Sequence, residues 1–129
     1  MGHSKRARPV LNKYGAIPTN GSASRKEARR KRELELIQRA GVISDLRCQV
    51  PFELIPVQRY PDTIGPRGGV IKGGLREKSC VYVADFVYTR DGEQIVEDVK
   101  GYKGGAAYAV FVIKRKLMLW VHGIAVKEV

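Results

Sequence analysis

A chain of 129 residues, 43% apolar and 29% charged, has room for one hydrophobic core and not for two. It holds no apolar run near the roughly 20 residues that cross a bilayer, and no signal-peptide h-region, so it reads as a cytoplasmic protein. The net charge of +11 points to a polyanion, nucleic acid ahead of a membrane surface, because no apolar helix face accompanies the basic run.

The charge is concentrated at the start. Residues 1–32 carry ten Lys or Arg against one acid, Glu27, which is +9 of the total. Residues 1–22 mix Gly, Pro, Ser, Asn and basic residues without periodicity and read as a flexible basic arm, leaving 23–129 as the folded domain. From Ser24 the pattern turns helical: Ser24 as N-cap with Glu27 three residues on forms a capping box, Leu34, Ile37 and Ala40 form the apolar stripe, and Gly41 stands at the C′ position. Residues 42–57 are rich in β-formers and broken by Pro51 and Pro56, as an extended segment would be. Residues 61–78 contain five glycines and four basic residues and read as a long, mobile, basic loop, with no Gly-Lys-Ser/Thr to make it a phosphate-binding one.

Two strands follow, about 79–89 and 94–101, joined at Asp91-Gly92. Residues 106–120 then show a helical stripe of Val110, Phe111, Ile113, Leu117 and Trp120, and GIAVKEV alternates like a closing strand. The order of elements describes an α/β domain, helices flanking a small mixed sheet. Trp120 and the tyrosines are expected in the core. His122 is expected to be structural, and Cys48 and Cys80 are expected as reduced core thiols. With only His3 and His122 beside them, they are too few for a zinc site.

The stretch CVYVADFVYTRDGEQIVEDVKGY carries the chemistry. With a two-residue turn at Asp91-Gly92, cross-strand partners have numbers summing to 183, which sets Asp85 against Asp98. Like charges so placed repel. Alternation puts Lys100 on the face of Asp98, with Glu97 and Val99 on the other. A three-residue turn would bring Glu97 opposite Asp85 instead. Two carboxylates among apolar neighbours need compensation, and an oxygen-only donor set suits Mg²⁺ or Mn²⁺.

YVADF, followed 13 residues after its aspartate by DVK, resembles the PD-(D/E)xK nuclease superfamily. Together with SRKEARRKRELELIQRAGVISDL, QVPFELIP and IKRKLMLW, it resembles a family of small phage and prophage proteins assigned there. The resemblance covers residues 24–129 and implies a restriction-endonuclease-like fold with Mg²⁺-dependent cleavage of DNA, Mn²⁺ substituting. It implies Asp85 and Asp98 as the motif acids, with the Val99 carbonyl as a further metal ligand. Lys100 is then the motif lysine and Glu27 the acid of the first helix. Ala84 stands where the family commonly has proline.

Glu27 has two readings, catalytic acid or helix cap, and Gln49 two, site lining or ordinary edge-strand residue. The phosphate contacts expected are Arg25, Lys26, Arg29, Arg30, Lys72, Lys103 and Lys114, while Lys116 reads as solvated. No base-reading module is present, so the expected substrate is branched DNA, such as a Holliday junction in phage recombination or replication in a bacterial host, cut by a homodimer. The alternative is a non-catalytic nucleic-acid-binding protein on the same fold; an RNA-directed or partner-activated nuclease is a third.

Overall fold

The computed structural model describes residues 22–129, with side chains described from Ser24 onward; the expected arm over 1–22 falls almost wholly outside that range. The chain runs as α1 (Ser22–Arg39), β1 (Ser44–Ile55), four short strands β2 (Gln58–Arg59), β3 (Thr63–Ile64), β4 (Val70–Ile71) and β5 (Leu75–Glu77), then β6 (Cys80–Arg90), β7 (Glu93–Asp98), α2 (Gly105–Leu117), a π-helical turn (Met118–His122) and β8 (Lys127–Glu128). The main sheet has the order β1-β6-β7-β8, antiparallel except for the parallel β7–β8 pair. It is a small mixed sheet with two helices, as the order of elements implied.

α1 begins by Ser22, so Ser24 lies inside the helix and is not its N-cap. At the other end the expectation holds. Gly41, at φ +82, donates to Gln38 O at 3.0 Å while Val42 donates to Ile37 O at 2.9 Å, the paired bonds of a Schellman cap. Ala40, past the helix end, is exposed. The turn Asp91-Gly92 has positive φ at both residues, +52 and +78, as a type I′ hairpin demands. The register from Arg90↔Glu93 to Phe86↔Glu97 accordingly sums to 183.

Two cores lie on opposite faces of the sheet. Leu34 of α1 packs with Ile43, Phe86 and Tyr88, and Phe111 and Met118 pack with Tyr82, Ala84, Val87 and Val96. Each fully buried large side chain contributes about 1.5–3 kcal/mol. β6 serves both cores by changing phase. Tyr82 and Ala84 face α2, whereas Phe86 and Tyr88 face α1, although all four are even-numbered and a regular strand would hold them on one face. β1 does the same at the same level, with Val50, Phe52 and Leu54 on the α2 side and Leu46 on the α1 side. The residue at the change in β1 is Gln49, left-handed at φ +53; that in β6 is Asp85. Pro51 is tolerated because β1 is an edge strand.

Four expectations are corrected. Residues 58–77 are not a structureless loop but two nested antiparallel pairs, β2 with β5 and β3 with β4. Trp120 is 86% exposed, because the helix changes to a π-helical turn at Met118 and Met118, not Trp120, fills the core. Of the tyrosines, Tyr82 and Tyr88 are buried but Tyr60 and Tyr102 are exposed. Cys48 is a free thiol as expected but exposed, since it sits on the edge strand just before the phase change. His122 is structural: its Nε2 lies 2.7 Å from Glu53 O and its ring meets Phe52 edge-on. No helix among the described residues is long and apolar enough to cross a membrane.

Candidate functional site

β7 brings its acids to the end of the sheet with alternate side chains on alternate faces. Glu97, toward α1, is fully buried and held by Arg30 through two parallel bonds, Nε to Oε1 at 2.9 Å and the second guanidinium nitrogen to Oε2 at 2.7 Å. The Tyr88 hydroxyl donates to Oε2 as well. Burial pushes the Glu97 carboxyl up, but the bonds from Arg30 and Tyr88 outweigh it and hold it below the usual carboxylate range. Tyr88, desolvated and bonded to that anion, is pushed up to about 12. This is a closed structural cluster.

Asp98, on the α2 side, is 0% exposed; Oδ1 accepts from the Tyr82 hydroxyl at 2.9 Å and Oδ2 lies 2.5 Å from Lys100 Nζ. The same ammonium sits 3.6 Å from the Phe111 ring centroid, where the ring quadrupole favours a cation. β8 continues past the acids: Val129 N donates to Asp98 O and Lys100 N to Val129 O, so the backbone on either side of Val99 is fixed. The Val99 N–H is turned the other way and donates to Asp85 Oδ2 at 2.8 Å.

Asp85, 3% exposed, comes just after the last registered pair, Phe86↔Glu97, and meets the β7 side of the hairpin at the Val99 N–H. Its Oδ1 accepts from Gln49 Nε2 at 3.2 Å, and the same amide donates to Glu27 Oε2 at 3.0 Å. Glu27 therefore does not close a capping box; it reaches across to β1, and one amide group stands between two carboxylates. A cleft of about 370 Å³ opens here between α1 and β1, lined by Ser24, Glu27, Lys31, Cys48, Gln49 and Phe86. Glu27, Gln49 and Asp85 thus form a line from this cleft to Val99, and Asp98 with Lys100 continues it on the α2 side.

A hard cation asks for carboxylate and carbonyl oxygens. Glu27, Asp85, Asp98 and the Val99 carbonyl match it in kind, and the Gln49 amide marks where positive charge is favoured between Glu27 and Asp85. Among the described residues no three His, Cys, Asp or Glu side chains converge closely enough to enclose an ion as they stand.

The expected phosphate contacts divide. Arg25 and Arg29 are exposed on α1, and Lys72 is exposed beside Asp62, 3.7 Å away. Arg30 is committed to Glu97, Lys26 donates to Lys100 O at 2.8 Å, Lys114 donates to Val81 O at 2.9 Å, and Lys103 lies 3.6 Å from Glu128. The sequence reading missed Tyr82 and the Arg30–Glu97–Tyr88 cluster. A signal for the cluster existed, since Glu97 points to the α1 face and Arg30 precedes Leu34 by one turn.

The sequence model of a family described as "Protein of unknown function (DUF1064)" matches residues 12–122. No curated protein and no solved structure matches the chain.

Proposed function

The chain belongs to the DUF1064 family, and we propose that it is a metal-dependent endonuclease with a restriction-endonuclease-like core, cleaving DNA phosphodiester bonds. One observation carries this reading: Asp85 and Asp98, 3% and 0% exposed, lie on neighbouring strands at the end of the β6–β7 hairpin, just past the Phe86↔Glu97 pair, and Asp85 accepts from the N–H of Val99, the residue after Asp98. Glu97 shows what a purely structural acid looks like in this chain, clasped by one arginine.

In this reading Asp85, Asp98 and the Val99 carbonyl would hold Mg²⁺, or Mn²⁺ in its place. The ion supplies acidity to a bound water and offsets charge on the transferring phosphoryl group. Lys100 Nζ orients or deprotonates the attacking water, or stabilises the phosphorane charge. Glu27 and Gln49 orient Asp85 from the cleft side. The substrate is branched DNA read by backbone and shape, and cutting both sides of a junction calls for a homodimer. Exposed apolar side chains at Val110 and Ile113 on α2 and at Trp120 in the π-helical turn that follows support a second copy as partner.

The 2.5 Å Asp98–Lys100 pair, closed as it stands, favours a second reading, a non-catalytic DNA-binding protein on the same core. Incubation of the protein with supercoiled plasmid and with a four-way junction, in Mg²⁺, Mn²⁺ or EDTA, separates the two. Metal-dependent cleavage abolished by Asp98→Ala supports the nuclease. Binding without cleavage on every substrate supports the second reading.

A further inference from the structure

The segment between β1 and β6 stands off the core as a ribbon, and its details are those of a built element. β3 and β4 pair Thr63↔Ile71 and Ile64↔Val70, and β2 and β5 pair Gln58↔Glu77 and Arg59↔Leu75 beneath them. At the tip, Gly68 N donates to Gly65 O at 3.0 Å and Gly65 N to Gly69 O at 2.7 Å, with Gly68 at φ +83. This is a three-residue hairpin loop with proline in the first corner, and it presents Arg67 at the end. At mid-length the strands touch: a Cβ on Gly73 would lie 1.7 Å from Tyr60 O, so the crossing requires glycine. Asp62 accepts from Gly73 N at 2.8 Å, and Arg76 lies over the Tyr60 ring at 5.2 Å.

The surface of the ribbon is odd for a free one. Ile64 and Val70 are 70% and 63% exposed, and Ile71 is exposed beside them. Residues 58–78 hold five basic residues (Arg59, Arg67, Lys72, Arg76, Lys78) and two acidic ones (Asp62, Glu77), a net +3. A lone two-stranded hairpin is marginally stable in water, so such a ribbon gains from a surface to lie on. Ribbon against ribbon, a second copy would set one +3 segment against another. A phosphate backbone brings the opposite. A two-stranded ribbon also fits the roughly 12 Å major groove of B-form DNA, where apolar side chains meet thymine methyls, and not the narrow major groove of A-form RNA.

We propose that the ribbon over residues 58–77 is a duplex-DNA-binding element that lies in the major groove, with Arg67 and Lys72 contacting phosphates on its rims. It rests on the reading above only in taking DNA as the partner, not in taking the protein as a catalyst. Its root at Cys80 is five residues from Asp85 along β6, about 17 Å at strand rise.

The test measures binding of the full chain to a 20-base-pair DNA duplex and the equivalent RNA duplex, by fluorescence anisotropy in EDTA across a salt series. The double variant Arg67→Ala/Lys72→Ala is compared with the unaltered protein. The expected results are DNA preferred over RNA duplex, at least a tenfold loss of DNA affinity in the variant, and a salt slope shallower by about 2. Amides of β3 and β4 should exchange freely in the unbound protein and be protected on DNA. Unchanged affinity and slope in the variant would overturn the proposal while leaving the nuclease reading intact, as would unprotected ribbon amides in the complex. Failure of the unaltered protein to bind duplex DNA overturns it too. Loss of binding in the variant upholds the ribbon even where neither protein cuts plasmid or junction in Mg²⁺ or Mn²⁺, a separate result that sinks the nuclease alone.

Discussion

Arg30 meets Glu97 with both arms of its guanidinium, and the carboxylate it holds has no exposure to water. Breaking such a pair from one side leaves an uncompensated buried charge. Arg30→Ala should therefore cost about 3 kcal/mol in urea unfolding. Arg30→Met together with Glu97→Leu should cost clearly less than either single change, because no charge is left behind. A loss under 1 kcal/mol for Arg30→Ala would show that the pair is not structural.

The same cluster sets the pH limits of stability. The folded-state pKa of Glu97 is depressed, so its contribution is present above the usual 4.5 and is lost as pH falls below it. Glu128 acts in the same direction: burial opposes its ionisation, and Arg115 and Tyr108 more than offset that. Tyr88 is raised to about 12, so its contribution holds up to its usual 10 and is lost between 10 and 12. Tm against pH should be flat between about 5 and 10 and fall on both sides. Glu97→Gln should weaken the acid limb, and an unaltered limb would assign it to other carboxylates.

Gln49 offers a way to test the site without unfolding it. Its left-handed backbone at φ +53 suits glycine better than glutamine, so Gln49→Gly should leave the unfolding midpoint nearly unchanged. Losing the amide between Glu27 and Asp85 should lower metal-dependent cleavage roughly 10–100-fold. Full activity in Gln49→Gly would remove that amide from the mechanism.

Asp98→Asn keeps a partner for the Tyr82 hydroxyl and removes one negative charge. Cleavage should fall by at least about 100-fold while duplex affinity stays within twofold. Lys100→Met should match it in activity, and both changes should lower stability, since each leaves the other member of a buried pair without its counter-charge. Equal loss of binding and cleavage in Asp98→Asn would argue for a binding role instead.

The dimer is tested at Ile113 on the second helix and Trp120 in the π-helical turn after it, both exposed. Sedimentation should show a dimer for the unaltered chain and a monomer for Ile113→Glu/Trp120→Glu. Paired nicks across a junction should give way to single ones in the variant. A monomer in the unaltered chain would sink the paired-site reading.

The hairpin was legible because Asp91-Gly92 suits a two-residue turn, and that turn fixes the cross-strand partners by arithmetic as far as Phe86↔Glu97. Gly41 was legible for the same local reason. The ribbon was not, because glycine marks both mobile chain and strands in close contact, and only the Tyr60 carbonyl against Gly73 distinguishes them. Trp120 was misjudged because a period of 3.6 was carried through a turn wound more widely. At the site, alternation separated Glu97 from Asp98 correctly. It could not foresee that β1 and β6 both change phase at Gln49 and Asp85, since nothing in either strand's composition marks a left-handed glutamine.

That phase change works like the crossing point of a pair of scissors. Above and below it, each strand serves one helix layer; at the crossing, the side chains belong to both. Asp85 is tied there to α1 through Gln49 and to the strand carrying Lys100 through Val99 N–H. Whatever pulls on that carboxylate pulls on both blades at once.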